Sequence, residues 1–200
     1  MLGNLYGEIV VDGAKVGQWT MDYESALELA KKEDLNILMK FTTAKCRNCI
    51  LLEKNVFSKD DFKAYASENL VLVWLDYSRK YKKTPEKYLA RNEVLADFYG
   101  IRGYPTCVYL ESNGKNVIGH LGNRGNGKEF IEKLEALEVL TPKGVGKYLK
   151  AFPDKAEAFN EALAEVESAT ESMEEWLKTE PKKSPINDQL YTKLSEKVEN

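Results

Sequence analysis

The stretch Met39–Lys54, MKFTTAKCRNCILLEK, decides the fold, because an apolar run gives way there to a helical pattern and two cysteines, Cys46 and Cys49, sit three apart at the change. Such a pair has three readings: a metal clip, a redox couple, or two core residues. A structural zinc site wants four Cys or His ligands at short spacings. The chain has 3 cysteines and 1 histidine, with Cys107 and His120 distant from the pair and from any ligand-like spacing. A metal clip would need all four, so no metal is implied. Three cysteines are also too few for a disulfide-stapled scaffold.

The position of the pair favours redox chemistry. A cysteine opening a helix faces free backbone N–H groups and the positive end of the helix dipole. Both favour thiolate, the nucleophilic form. A second cysteine one turn on can resolve a mixed disulfide. Cys46 is therefore expected to attack and Cys49 to resolve. Lys45 and Arg47 flank Cys46 with positive charge and are expected to lower its pKa further. A stabilised thiolate makes the couple more oxidising.

Outward from this motif, Leu35–Phe41 and Leu70–Tyr77 read as buried strands. Glu8–Val11 and Lys15–Thr20 flank Asp12-Gly13, which predicts a short hairpin. Asp22 is a candidate cap for a helix carrying Tyr23, Ala26, Leu27 and Ala30. The helix from Cys46 weakens near NVFSKDDF, and Ser58 is a candidate cap for a second piece through Phe62, Tyr65 and Ala66. SRKYKKTPEK reads as a solvated basic loop. Glu86–Tyr99 is a helix with Gly100 at its C-cap. Thr106–Ser112 and Asn116–Gly122 are strands around the Asn113-Gly114 turn, and Lys128–Leu140 is a further helix. The order β-α-β-α-β-α-β-β-α predicts a mixed sheet, parallel first and antiparallel later, covered on both faces.

After Thr141–Gly144 the composition shifts. We expect residues 1–140 to form the α/β domain and 141–200 a helical extension, broken at Phe152–Asp154 and at Glu180–Pro185, with a last helix over Asn187–Val198. Leu149, Phe152, Phe159, Leu163, Val166, Met173, Trp176 and Leu177 are spaced broadly helically. They form either a face packed on the domain or a surface for a partner or a homodimer.

Composition bounds the rest. Of 200 residues, 43% are hydrophobic and 30% charged, as in soluble globular proteins. A net charge of −3 gives no nucleic-acid footprint. No apolar run reaches about 18 residues, so no transmembrane segment is expected. The N-terminal MLGNLYGEIVVDGAKVG lacks the basic and apolar regions of a signal peptide, which reads as a cytosolic protein or one whose leader is absent from this chain.

ILMKFTTAKCRNC followed by GIRGYPTCVYLESNGK resembles the thioredoxin superfamily over about residues 18–140. It is similar to bacterial thioredoxin-like disulfide reductase or isomerase proteins, whose pattern F-T-x-x-x-C-x-x-C with L-E-K-x-V-F is met here by LLEKNVF. The resemblance implies a thioredoxin-like three-layer α/β/α fold with a central mixed sheet. It implies a cis Pro105 facing the cysteines and backbone groups of Tyr104 offered to an extended substrate peptide. It implies a thiol–disulfide oxidoreductase of reductase or isomerase type acting on protein disulfides, with an unidentified electron donor or acceptor, no cofactor, and a lean towards the periplasm or cell envelope. The alternative is a binding module using the cis-proline groove or the C-terminal helices, without redox turnover. Three positions depart from thioredoxins: Lys45 stands where Trp is usual, Arg47-Asn48 replaces Gly-Pro, and Lys40 replaces a buried Asp six residues before the first cysteine. Glu53, four residues after Cys49, is expected to pair with Lys40 and tune the cysteines. Cys107 reads as a buried small hydrophobe, and His120 as a strand residue without a catalytic part.

Overall fold

The computed structural model describes residues 9–78, 84–122, 125–139 and 141–179. Five strands form one sheet: β1 (Trp19–Thr20), β2 (Asn36–Thr42), β3 (Leu70–Asp76), β4 (Thr106–Leu110) and β5 (Val117–Leu121), in the order β1-β3-β2-β4-β5. β1, β3 and β2 run parallel, and β4 and β5 are antiparallel additions. β2 and β3 are buried on both faces, which explains their near-continuous apolar sequence.

Side-chain alternation along β2 divides the core. Leu38 joins Leu72 and Trp74 on one face, where α3 (Asp60–Asn69) contributes Phe62 and α5 (Gly127–Glu138) contributes Phe130 and Leu134. Ile37, Met39 and Phe41 face the other way, towards Ala26 and Ala30 of α1 (Tyr23–Glu33) and Leu95 of α4 (Glu86–Phe98). The sheet therefore has helices on both faces, the thioredoxin-like arrangement. Asp22 caps α1, its carboxylate accepting from the Ser25 amide at 3.1 Å. Gly100 follows α4 at φ +61°, the left-handed position a helix end requires.

Two local expectations are overturned. The hairpin at Asp12-Gly13 is absent: Val10 meets Thr20 in a parallel bridge. Two positive-φ glycines, Gly13 (+85°) and Gly17 (+70°), turn the chain twice instead of once. Gly17 also passes close to α3, where a Cβ would lie 2.5 Å from the Ser67 Cα. Nor does Ser58 cap α3. Its hydroxyl donates to the Lys54 carbonyl, and Lys59 takes the N-cap position without a side-chain bond. The preceding helix α2 (Arg47–Leu52) does not fade but widens into a π-helical turn, Glu53–Phe57, closed by the Ser58 amide on the Glu53 carbonyl.

One compact unit runs through Val145 and a second starts at Gly146. Helix α6 (Pro142–Ala151) begins with Thr141 accepting from the Gly144 amide, and a 3-10 turn, Pro153–Lys155, precedes α7 (Ala156–Thr179). Phe152, Phe159, Leu163 and Val166 are exposed. Met173, Trp176 and Leu177 lie outside the described side chains, and the Glu180–Pro185 break and the Asn187–Val198 helix lie outside the described residues, as do Arg79–Lys83 of the basic loop. Among the described residues no helix is long and apolar enough to cross a membrane.

Candidate active site at the cysteine pair

β2 and β3 end in register at Thr42 and Asp76. The loop leaving β2 is fastened to the chain leaving β3: the Ala44 amide donates to Ser78 Oγ at 2.6 Å, and Ser78 donates to Asp76 Oδ1 from its amide at 2.9 Å. Cys46 follows as the N-cap of α2, in extended geometry. Sequence places it there because the strand-like run ends at Thr42 and the helical run through Ile50-Leu51-Leu52 opens just after Cys46.

Cys46 and Cys49 form a disulfide, with Cα atoms 5.1 Å apart. The Cys49 amide donates to Cys46 Sγ at 3.1 Å, so a free N–H of the first helical turn points at this sulfur. The two sulfurs differ in access. Cys49 is 6% exposed and belongs to the core, whereas Cys46 is partly open, with Lys45, Arg47 and Asn48 exposed around it.

The Tyr104–Pro105 peptide is cis. The Tyr104 carbonyl lies 3.3 Å from Cys46 Sγ, so residues 58 positions apart in sequence share one site. The Tyr104 ring stacks on Tyr77 (centroids 5.5 Å apart), which stacks on Phe41 of β2 (6.0 Å). The Tyr77 hydroxyl donates to the Asn92 carbonyl on α4 at 2.5 Å. This stack anchors the loop before Pro105, and neither Tyr77 nor Phe41 stood out in the sequence.

Beneath the pair lies a buried ionic group. Lys40 Nζ is 2.5 Å from Glu53 Oε2, and both side chains are 3% exposed. Three ring faces surround the ammonium: Trp74 at 3.6 Å, Trp19 at 4.3 Å and Phe57 at 4.7 Å. Burial pushes the Lys40 pKa below the ordinary lysine range, and the Glu53 carboxylate pulls it back. The rings also favour the cation, by about 2 kcal/mol or more in a desolvated setting. Lys40 pairs in register with Trp74 on β3 and Cys107 on β4. Strand pairing thus supplies neighbours that no local pattern announces. Cys107 is fully buried, and burial raises its thiol to about 12, against the pull of Lys40.

His120 lies on β5, exposed. With Asn48, Tyr104 and Pro105 it lines a cleft of 660 Å³ that opens beside the disulfide and reaches α5.

A mixed sheet with a cysteine pair at the start of a helix and a cis-proline loop against it defines a thioredoxin-type protein. The chain belongs to the thioredoxin-like domain family, which matches residues 23–138. It is 28% identical over 120 residues to disulfide bond reductase DsbH of Chlamydia pneumoniae, covering 60% of this chain and 71% of that protein. It is 27% identical over 109 residues to thioredoxin-related protein DsbJ of the same organism, covering 54% of this chain but only 31% of that protein. A solved DsbH oxidoreductase superposes with a TM-score of 0.57 at 25% identity, over 68% of this chain and 96% of the other.

Proposed function

We propose that the chain is a thiol–disulfide oxidoreductase of reductase or isomerase type acting on protein disulfides. The observation that carries this reading is the asymmetry of the pair: Cys46 is open and receives a helix-start N–H, and Cys49 is buried one turn on. In the reduced protein the Cys46 thiolate attacks a client disulfide. A bond forms between Cys46 Sγ and one client sulfur, and the other client sulfur leaves as a thiolate and takes up a proton. Cys49, deprotonated, then attacks Cys46 Sγ. The Cys46–Cys49 disulfide forms and the second client sulfur leaves, so two electrons pass from the dithiol to the client. A dithiol donor restores the reduced pair. In isomerisation a client thiol, not Cys49, displaces Cys46, and no net electrons move.

Lys45 and Arg47 stabilise the Cys46 thiolate and make the couple less reducing than one with apolar neighbours. The Tyr104 backbone, next to Pro105, pairs with an extended client segment. Lys40 and Glu53, paired beneath Cys49, jointly relay its proton. The site suits a compartment where protein disulfides persist, and we assign the protein to the cell envelope. Similarity to a disulfide bond reductase, DsbH, supports the reductive direction. The experiment is insulin-disulfide reduction with dithiothreitol as donor. Turnover above the donor alone, abolished by Cys46→Ser, is expected. Turnover that survives Cys46→Ser contradicts the reading, and none in the wild type leaves the fold as a binding module.

The exposed apolar side chains of α7, Phe159, Leu163 and Val166, are the surface we assign to a second copy of the chain. Sedimentation velocity at micromolar concentration is expected to give a dimer, and Leu163→Glu a monomer. A wild-type monomer throughout removes the assignment.

A further inference from the structure

The short segment that leaves β3 touches both loops of the site. On one side, the Tyr77 amide donates to the Thr42 carbonyl at 2.9 Å, and Ser78 Oγ accepts from the Ala44 amide at 2.6 Å. A serine hydroxyl has one proton to give and lone pairs with which to accept. Here the proton goes to the buried Asp76 carboxylate, which also accepts from the Ser78 amide. The hydroxyl is thereby fixed with a lone pair left for Ala44, two residues before Cys46. On the other side, the Tyr77 ring stacks on Tyr104, and its hydroxyl is tied to the Asn92 carbonyl of α4. Tyr104 in turn holds its carbonyl 3.3 Å from Cys46 Sγ. Two adjacent residues thus grip the two halves of a site that lie 58 positions apart. Among the described residues, neither bonds to a cysteine sulfur.

We propose that Tyr77 and Ser78 are positioning residues for thiol–disulfide exchange, which together set Cys46 Sγ against the Tyr104 backbone. The inference rests on the oxidoreductase reading. A client strand paired with that backbone presents its disulfide to Cys46 from one fixed direction, so the register between loop and sulfur decides whether the reacting atoms align. A misplacement of about 1 Å costs as much as about 100-fold in rate. A small disulfide without a peptide backbone finds its own approach to Cys46 and does not depend on this register.

The test is single-turnover oxidation of the reduced protein by two disulfides. One is a cystine peptide with extended residues on both sides of each sulfur. The other is bis(2-hydroxyethyl) disulfide, which has no backbone to pair. Wild type is compared with Ser78→Ala, Ser78→Thr and Tyr77→Leu, each first confirmed folded by circular dichroism. Ser78→Ala keeps the amide bond to Asp76, and the exposed Ala44 amide passes to water, so the fold is retained. The peptide rate is expected to fall about tenfold in Ser78→Ala and in Tyr77→Leu, with the small-disulfide rate within about twofold of wild type. Ser78→Thr, which keeps the hydroxyl, is expected to track wild type. Because both residues act on one contact, the double variant loses less than the product of the single losses. Equal losses with both disulfides leave a merely structural role and overturn the proposal, as does a peptide rate that Ser78→Ala and Tyr77→Leu leave unchanged. If neither disulfide oxidises the wild type through Cys46, the oxidoreductase reading itself is overturned, and the positioning role with it.

Discussion

Cys107 shows how far one buried atom's surroundings govern its chemistry. Its thiol sits fully enclosed across from Lys40, and burial raises it from an ordinary 9.0 to about 12. A raised folded-state pKa means that the folded protein holds the proton more tightly than the unfolded chain does. The associated stability is present in full below about pH 9 and is lost as pH climbs towards 12. Denaturant unfolding across that window is expected to show a decline, with Cys107 contributing a slope of up to about 1.4 kcal/mol per pH unit. Cys107→Ala is expected to be less stable at neutral pH, because it leaves a cavity, but to decline less steeply above pH 9. Parallel curves for the two proteins contradict this. The same burial keeps Cys107 a thiol at neutral pH, so it does not compete with Cys46 for clients.

The informative elements are β2 and the helix that follows it. Lys40 belongs to β2 and Glu53 opens the π-helical turn, so their contact ties the strand to the helix that carries both cysteines. Removing one partner of such a buried pair is costly, on the order of 3–5 kcal/mol. Lys40→Met is therefore expected to lower stability. Its mechanistic signature is separate: with the Lys40–Glu53 relay broken, the resolving step slows about 100-fold, the lower end of what positioned proton transfer contributes. Rapid-mixing decay of a Cys46 mixed disulfide measures that step. An unchanged rate in a folded Lys40→Met protein rules out the relay and leaves a structural ion pair. Several element boundaries were legible because local chemistry sets them: Asp22 caps α1, Gly100 ends α4, and Asn113-Gly114 turns β4 into β5. The N-terminal hairpin was misread because Asp-Gly is a turn signal that does not report direction, and the second glycine, Gly17, reverses the chain again against α3. The Ser58 misreading has a similar origin: a serine before a helix can bond backward, and here it closes on Lys54.

For the whole molecule, the mixed character of the sheet and the site were legible for different reasons. Buried strands joined by helices favour parallel pairing, and a short turn gives an antiparallel pair, as β2–β3 and β4–β5 show; the order β1-β3-β2-β4-β5 itself had no local signal. The meeting of Cys46 with the Tyr104–Pro105 loop was legible only through resemblance, since no spacing rule joins residues so far apart. The aromatic enclosure of Lys40 and the Tyr104–Tyr77–Phe41 stack escaped the sequence because they depend on cross-strand register and helix docking, which are long-range. So did the cleft, whose wall comes from α5 and whose other side comes from Asn48 of α2 and from Tyr104 and Pro105. The fold thus brings distant residues to one end of the sheet, around a single disulfide with one open and one buried sulfur. That asymmetry is the centre of the account, and trapping tests it most directly. Reduced Cys49→Ala is mixed with a disulfide-bonded client and quenched with acid. The variant is expected to accumulate as a covalent complex through Cys46, released by dithiothreitol, whereas Cys46→Ala forms none. A complex formed equally by Cys46→Ala, or none by Cys49→Ala, would contradict it.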